Sequence, residues 1–224
     1  VNVDEVALVR RFGAVRTELG PGLHIRWPWP IEEATKLRPL EIRTVEIGFR
    51  TLPEEKAREM RLARGVQQSL RRSDIPGATW SAGHGDETVP VTDELLLPTG
   101  DGGLIELRAT VRFTVRDPQV FLLGTSDPAA IVRAAAESVL RELAAGQPFL
   151  DLLTANRAAF ETAAAVRLRE RLRTLSGDGL GIELAGLTVH DLHPPQEVVE
   201  SYHAVAEAIQ RRDRAVNEAA AEGQ

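Results

Sequence analysis

Residues 194–222 read PPQEVVESYHAVAEAIQRRDRAVNEAAAE and carry an uninterrupted helical pattern around which the rest of the chain is organised. After the two opening prolines, nothing breaks a helix before Gly223. Proline is tolerated in a first helical turn because its missing N–H would have no partner there. The interior is mostly Ala, Glu, Gln and Arg, which favour helix. The sequence therefore predicts a helix roughly 40 Å long.

A seam of larger side chains follows this predicted helix at steps of three and four residues. Its members are Val198, Tyr202, Val205, Ile209, Arg212 and Val216. Such heptad spacing drives helices to supercoil, and a polar helix with one narrow seam tends to pack on a partner. We therefore predict an oligomerisation helix. Two alternatives are a helix that folds back on its own domain and a frayed chain end.

Composition limits the classes of function. The chain has 224 residues, no cysteine and a net charge of −6. The missing cysteines exclude disulfides and thiolate metal sites. The acidic balance disfavours a nucleic-acid partner, because phosphate binding needs a net basic face. No apolar run approaches the ~20 residues of a membrane span. Because the chain begins at Val1 rather than Met, we expect the numbering to start inside a longer protein.

The clearest strand pattern is LIELRATVRFTVR, residues 104–116. Apolar and polar residues alternate strictly, which predicts a strand of an antiparallel sheet with its basic face in solvent. Further patterns predict strands over 1–12, 15–19, 23–27, 37–50 and 180–192, and helices over 127–145 and 154–175. Residues 1–19 form a candidate hairpin.

A loop rich in tryptophan and proline follows the third strand pattern. It reads Trp27-Pro28-Trp29-Pro30-Ile31 and holds two of the three tryptophans of the chain. Proline cannot join a strand ladder, so we predict an extended loop. Tryptophan is favoured at membrane–water interfaces, which makes these five residues a candidate membrane interface. The alternative is that the two rings fold over the core as a lid.

Residues 51–94 are polar and lack apolar periodicity, so we interpret them as an insertion that is largely loop. His84-Gly85-Asp86-Glu87 lies here, but no further ligand follows at metal-binding spacing, and a solvated loop is the better interpretation. The chain shows no nucleophile elbow, no phosphate-binding glycine loop and no zinc spacing. We identify no catalytic residue, no metal site and no cofactor.

Several sequence blocks resemble the SPFH (band 7) superfamily of stomatins, prohibitins, flotillins and HflK and HflC proteins, and most of all its HflK-like members. The blocks are Val9-Arg10-Arg11-Phe12-Gly13, Gly20-Pro21-Gly22-Leu23-His24, the 27–31 loop, Leu97-Pro98-Thr99-Gly100-Asp101, the run from Ala109 to Pro118, and Pro194-Pro195-Gln196-Glu197-Val198. They occur in the order of the family and span nearly the whole chain. Residues 51–94 depart from the usual pattern of the family, because this segment is longer and more polar.

The resemblance implies an α+β band-7 domain with an antiparallel sheet and packed helices, followed by a long C-terminal coiled-coil-type helix. We divide the chain accordingly. Residues 1–50 are the first part of the domain with its membrane-proximal loop, and 51–94 are the insertion. Residues 95–193 complete the domain, and 194–224 start the long helix. The resemblance also implies a membrane anchor before Val1, with the side of the membrane unknown.

The implied function is a non-enzymatic membrane scaffold. Like subunits, or an HflC-like second subunit, would pack into a ring or cage that regulates a membrane-bound AAA+ protease of the FtsH type. A soluble adaptor that binds its partner through the C-terminal helix is an alternative, and a hydrolase or peptidase subunit is a weaker one. Exposed tryptophan rings would favour the membrane scaffold, whereas buried rings would favour the adaptor.

Overall fold

The computed structural model describes residues 1–56, 58, 88–153, 157–175, 180–195 and 198–222. Its strands are β1 (Val6–Arg11), β2 (Ala14–Leu19), β3 (Glu32–Leu37), β4 (Arg43–Ile47), β5 (Phe49–Thr51), β6 (Thr88–Pro90), β7 (Leu96–Pro98), β8 (Leu104–Val115) and β9 (Ile182–His193). Its helices are α1 (Thr92–Leu95), α2 (Pro118–Leu123), α3 (Pro128–Ala145), α4 (Phe149–Leu153), α5 (Arg157–Thr174) and α6 (Val199–Glu222). All strand pairs among these are antiparallel, so the fold is α+β.

The first sheet has the order β2-β1-β3. Its central strand is buried on both faces at Ala7, Leu8 and Val9, as the apolar pattern of residues 1–12 predicts. The predicted hairpin is confirmed by the β1–β2 pairing. The predicted strand over 23–27 is wrong: this segment joins no ladder, and the Arg26 guanidinium and the Trp27 N–H donate to Glu32 instead.

The second sheet is built on β8, which confirms the strand predicted over 104–116. β9 lies along one edge of β8, while β4 and β7 share the other edge. Helices α3 and α5 pack against one face of this sheet. The core between them includes Phe113, Leu140, Phe160 and Leu168, all nearly inaccessible to solvent. One hydrophobic face of a sheet covered by helices is the expected layer arrangement of an α+β domain.

The polar face of β8 is not simply the solvated basic stripe that its alternation predicts. Arg108 is only 8% exposed, whereas Arg112 is exposed. Arg108 lies beside the carboxylates of Glu106 and Asp191 and donates to the hydroxyl of Thr88 at 3.3 Å. Its burial therefore depends on residues distant in sequence, which a local pattern does not reveal.

Residues 37–50 do not form the single strand that was predicted. β3 ends at Leu37, and β4 and β5 are separated by Gly48, whose φ of 79° lies in the left-handed region. β5 then pairs with β6, so the two ends of the segment 51–88 lie side by side. The predicted polar loop falls mainly on residues 57 and 59–87, including 84–87, which lie outside the described residues.

The turn at residues 99–103 fixes the second sheet to the helices. The Asp101 carboxylate accepts hydrogen bonds from the Thr99 hydroxyl at 2.5 Å and from the backbone N–H of Phe149, at the start of α4. The Thr99 hydroxyl holds the pKa of Asp101 below its usual range. The Gly100 N–H donates to the carbonyl of Gln147 at 2.9 Å. Part of the Leu-Pro-Thr-Gly-Asp block therefore connects sheet and helices.

The C-terminal helix begins later than predicted. Pro194 and Pro195 are buried and precede the helix instead of forming its first turn, and α6 starts at Val199. In the described part of the chain, α6 makes no extensive contact with another helix or strand. The end of β9 is thus held by the domain, while the helix that follows projects from it.

Candidate membrane-facing tip and assembly helix

One end of the first sheet carries the tryptophan loop. Arg11 of β1 pairs with Glu32 of β3 at this end, while Val6 pairs with Leu37 at the other. The loop 20–31 starts at the Val6 end, where Leu19 pairs with Ala7 and the Gly22 N–H donates to the carbonyl of Val1 at 3.0 Å, and it ends beside the turn at residues 12–13. There the Phe12 N–H donates to the carbonyl of Ile31 at 3.2 Å. We call residues 12–13 and 27–31 the tip.

The tip exposes large apolar side chains to solvent. Trp27 is 60% exposed, Trp29 80% and Phe12 79%. Leu23 and Ile25, on the stretch of loop that leads to the tip, are exposed as well. The two prolines of the predicted interface, Pro28 and Pro30, are exposed as well, and Ile31 is half-buried. The alternative in which the tryptophan rings cover the core does not fit these exposures.

A single carboxylate anchors the loop to the sheet. Glu32 is 5% exposed, and its carboxylate accepts hydrogen bonds from the Arg11 guanidinium at 2.6 Å and from the Trp27 N–H at 2.9 Å. The bond from Trp27, followed by that from Arg11, lowers the pKa of Glu32. The Arg26 guanidinium donates to the backbone carbonyl of Glu32 at 3.1 Å. These bonds stabilise a loop that has no strand partner.

Sequence reasoning missed several members of this surface. The alternation of Leu23, Ile25 and Trp27 was interpreted as a strand face, although the same pattern also describes three apolar side chains on an extended loop. Phe12 was attributed to the first strand, but it lies in the turn with a positive φ of 50°. No sequence signal marked Glu32, because its role depends on a backbone N–H five residues earlier.

The seam predicted on the C-terminal helix maps onto α6. Tyr202, Val205, Ile209, Arg212 and Val216 all lie within Val199–Glu222, and their spacing places these positions on one face of the helix. The side chains of Arg212 and Val216 are exposed, as is Val198 just before the helix. Arg212 pairs with neighbouring Asp213 at 2.8 Å.

A buried histidine marks the point where α6 leaves the domain. His193 is 4% exposed, and its Nδ1–H donates to the Pro194 carbonyl at 2.8 Å. Its Nε2 lies 3.5 Å from a carboxylate oxygen of Asp191 and 3.7 Å from one of Glu106. The hydrogen bond with Asp191 raises the pKa of His193 against the opposing effect of burial. We call Glu106, Asp191 and His193 the junction cluster.

The described residues contain neither a cluster of metal ligands nor a helix that could span a membrane. No group of three or more His, Asp or Glu side chains there is arranged to hold a metal ion. None of the helices in the described ranges combines the length and apolar character needed to cross a bilayer.

The family model for the SPFH domain / Band 7 family matches residues 1–223 of this chain. The chain belongs to the SPFH (band 7) family. Similarity to HflK proteins extends over most of its length, which confirms the resemblance indicated by the sequence blocks.

Three HflK relatives illustrate this similarity. Protein HflK of Treponema pallidum is 25% identical over 213 residues, covering 94% of this SPFH chain and 56% of the relative. Protein HflK of Borreliella burgdorferi is 23% identical over 97% of the chain and 60% of the relative. Modulator of FtsH protease HflK of Escherichia coli K12 is 24% identical over 65% of the chain and 36% of its own length. The chain thus spans little more than half the length of the first two.

Proposed function

We propose that this SPFH chain is part of a non-enzymatic, HflK-like membrane scaffold that modulates a membrane-bound AAA+ protease of the FtsH type. Family membership and the similarity to HflK proteins support this function, since one relative is named a modulator of FtsH protease. The observation that carries the membrane part of the proposal is the exposed apolar tip. Its side chains are costly to leave in water and have no partner surface within the described domain.

The chemistry of the tip suits a lipid surface. Burying one exposed Leu, Ile or aromatic side chain is worth roughly 1.5–3 kcal/mol, so several of them together support stable membrane contact. Tryptophan combines a large apolar ring with one N–H donor, which suits the headgroup region. Arg16 and Arg26 are exposed on the same part of the molecule and complement anionic headgroups.

Assembly through α6 is the second part of the proposal. Copies of this chain, or this chain and an HflC-like subunit, pack along the seam of α6 while neighbouring domains touch side by side. Weak contacts repeated around a ring or cage yield a stable assembly, because each further contact is effectively intramolecular. Such an assembly would control access to the protease by enclosing it.

Vesicle binding of the tip variants tests the membrane role. The double variant Trp27→Ala with Trp29→Ala removes two exposed rings, and we expect its partitioning onto vesicles of mixed neutral and anionic phospholipid to fall roughly tenfold or more. Sedimentation of the full chain with vesicles measures this. The matched control is Leu40→Ala with Ile42→Ala, which removes exposed apolar side chains from the loop at the opposite end of β3. Equal binding by the tip variant and the unsubstituted chain would contradict the membrane role.

The soluble adaptor is the second candidate, and the exposed side chains of Arg212 and Val216 on α6 are the observation in its favour. It predicts that the chain captures its partner through α6 without any affinity for vesicles. The exposed Trp27 and Trp29 favour the membrane scaffold, because an adaptor gains nothing from apolar rings in water.

A further inference from the structure

A cavity of about 530 Å³ lies where the end of β8, the start of α2, the last turns of α5 and the start of β9 meet. Three arginines line it: Arg116 follows β8, and Arg169 and Arg173 stand one turn apart on α5. We call this cavity the arginine pocket. Its guanidinium groups come from two separate parts of the chain, so the fold brings together charges that are distant in sequence.

The three guanidinium groups carry no ion pair or hydrogen bond within the part of the chain that the structure describes. This is notable in a chain of net charge −6. Two carboxylates also line the pocket. Asp117 accepts the backbone N–H groups of Gln119 at 2.9 Å and Val120 at 3.0 Å, so it serves as the cap of α2. Glu183 is the other carboxylate among the described lining residues, and these residues together carry an excess of positive charge.

The walls of the pocket are fixed and partly apolar. Leu172 and Leu184 are buried beneath it, and Val120 contributes a partly exposed side. The Gly181 carbonyl accepts hydrogen bonds from the backbone N–H groups of Arg116 at 2.8 Å and Asp117 at 2.9 Å. A Cβ at Gly181 would lie 2.5 Å from the Asp117 carbonyl, so the two strand ends approach too closely for any other residue.

We propose that the arginine pocket binds the phosphoryl group of a small organic phosphate, whose apolar body lies against the half-buried side chains of Val120 and Ile182. A phosphate monoester carries a charge of about −1.5 to −2 and three acceptor oxygens, which match three guanidinium groups better than a two-oxygen carboxylate does. The cavity also falls in the range of roughly 300–1,000 Å³ typical of small-ligand sites.

The position of the pocket favours a soluble phosphate over a lipid headgroup. The pocket adjoins the end of β8, where the Val115 N–H donates to the carbonyl of Pro39 in the loop that follows β3. The tip lies at the opposite end of β3, which at about 3.3 Å per residue is some 20 Å long. A bilayer touching the tip would therefore not reach the pocket.

Calorimetric titration of the 224-residue chain with phenyl phosphate tests the proposal, at about 0.15 M ionic strength to screen non-specific attraction. We expect saturable binding that is tighter than that of inorganic phosphate, because the phenyl ring covers the half-buried side chains of Val120 and Ile182. Arg169→Gln and Arg173→Gln should each weaken binding roughly tenfold. Glu183→Gln should strengthen it severalfold, which a merely structural role of these side chains would not produce.

Arg167→Gln is the matched control. It removes an exposed arginine from the same helix outside the pocket, where Arg167 pairs with Glu142 at 2.9 Å, and binding should stay within about twofold. Urea unfolding of each variant checks that the fold is kept. The proposal is overturned if phenyl phosphate shows no saturable binding, or if Arg167→Gln weakens it as much as the pocket variants do. Binding of vesicles containing anionic phospholipid without binding of phenyl phosphate overturns it as well.

Discussion

Gly100 lies where the turn 99–103 touches the backbone between α3 and α4. A Cβ there would lie 2.9 Å from the Ala145 carbonyl and 3.3 Å from backbone atoms of Gln147. Backbone atoms cannot move aside as a flexible side chain can, so the added methyl group must push the turn away from the helices. The same turn carries Asp101, whose carboxylate accepts the Phe149 N–H, and a shift would disturb that bond too.

We therefore expect Gly100→Ala to lower the free energy of unfolding by roughly 1–3 kcal/mol, the usual cost of overpacking. Urea denaturation followed by circular dichroism measures the change. Gly20→Ala is the control, because an added Cβ there meets no atom within 4 Å. If the two variants unfold at the same urea concentration, the close approach at Gly100 does not affect the free energy of unfolding.

His193 makes the stability of the junction dependent on pH. The bond with Asp191 raises the pKa of His193 in the folded state above the ordinary value of about 6.5. The stability contributed by the protonated ring is therefore fully present below about pH 6.5 and is lost as the pH rises through the folded-state pKa. The pH window of this contribution thus begins near 6.5 and extends upward.

The variant His193→Gln should accordingly lose more stability near pH 6 than near pH 8.5, because the share of protonated His193 falls as the pH rises. Removing the charged ring from its half-buried carboxylate partners costs roughly 1–3 kcal/mol, and this figure applies at the lower pH. Urea unfolding of both proteins at the two pH values gives the comparison. His24→Gln, at an exposed histidine, should change stability by less than about 0.5 kcal/mol at either pH. If His193→Gln lowers the free energy of unfolding equally at both pH values, the protonated ring makes no ionic contribution to stability.

Among the elements, strands with one apolar and one polar face were the easiest to predict from the sequence. β8 alternates apolar and polar residues over its whole length, so its existence and its buried face follow from sequence alone. The helix α3 was equally clear: Asp127 caps it through the Ala130 N–H, Pro128 opens it and Gly146 follows its end. In both cases the sequence signal lies within the element itself, and the packed structure agrees with it.

Other elements depended on contacts that a local pattern does not contain. Residues 23–27 alternate like a strand, yet the segment pairs with no strand and its end is held by hydrogen bonds to Glu32. Within 37–50, Gly48 breaks the run and directs β5 to β6, a partner about forty residues later in the chain. Arg108 lies buried because Asp191 of β9 approaches it, and the Glu32 anchor likewise rests on tertiary contacts. The tryptophan loop itself was predictable, but the structure that holds it was not.

At the scale of the whole molecule, the strand register determines where the tip and α6 are attached to the two sheets. The tip ends the first sheet, whose other end meets the C-terminal end of β8 near Val115. β9 runs back along β8 until His193 pairs with Glu106, near the opposite end of that strand, and α6 follows. The apolar tip and α6 are thereby attached to the domain at separate places. A copy bound to a membrane through its tip could thus use α6 independently for assembly.

This separation predicts that assembly can be disrupted without unfolding the domain. The double variant Val205→Asp with Ile209→Asp places two charges in the predicted seam, and we expect self-association to weaken at least tenfold while circular dichroism and the unfolding midpoint of the sheets stay unchanged. Light scattering on a sizing column, over a series of protein concentrations, measures the mass.

The control Gln210→Asp with Asn217→Asp adds two negative charges to exposed positions of α6 outside the seam, and it should assemble like the unsubstituted chain. An unchanged mass for the seam variant would exclude the seam as the contact. If the unsubstituted chain is itself a strict monomer at every concentration, the seam alone is too weak to hold copies together. The missing affinity would then have to come from contacts between neighbouring domains or from a second subunit type. Each of these contacts can be weak, because in a ring the last contacts form between subunits that are already held together.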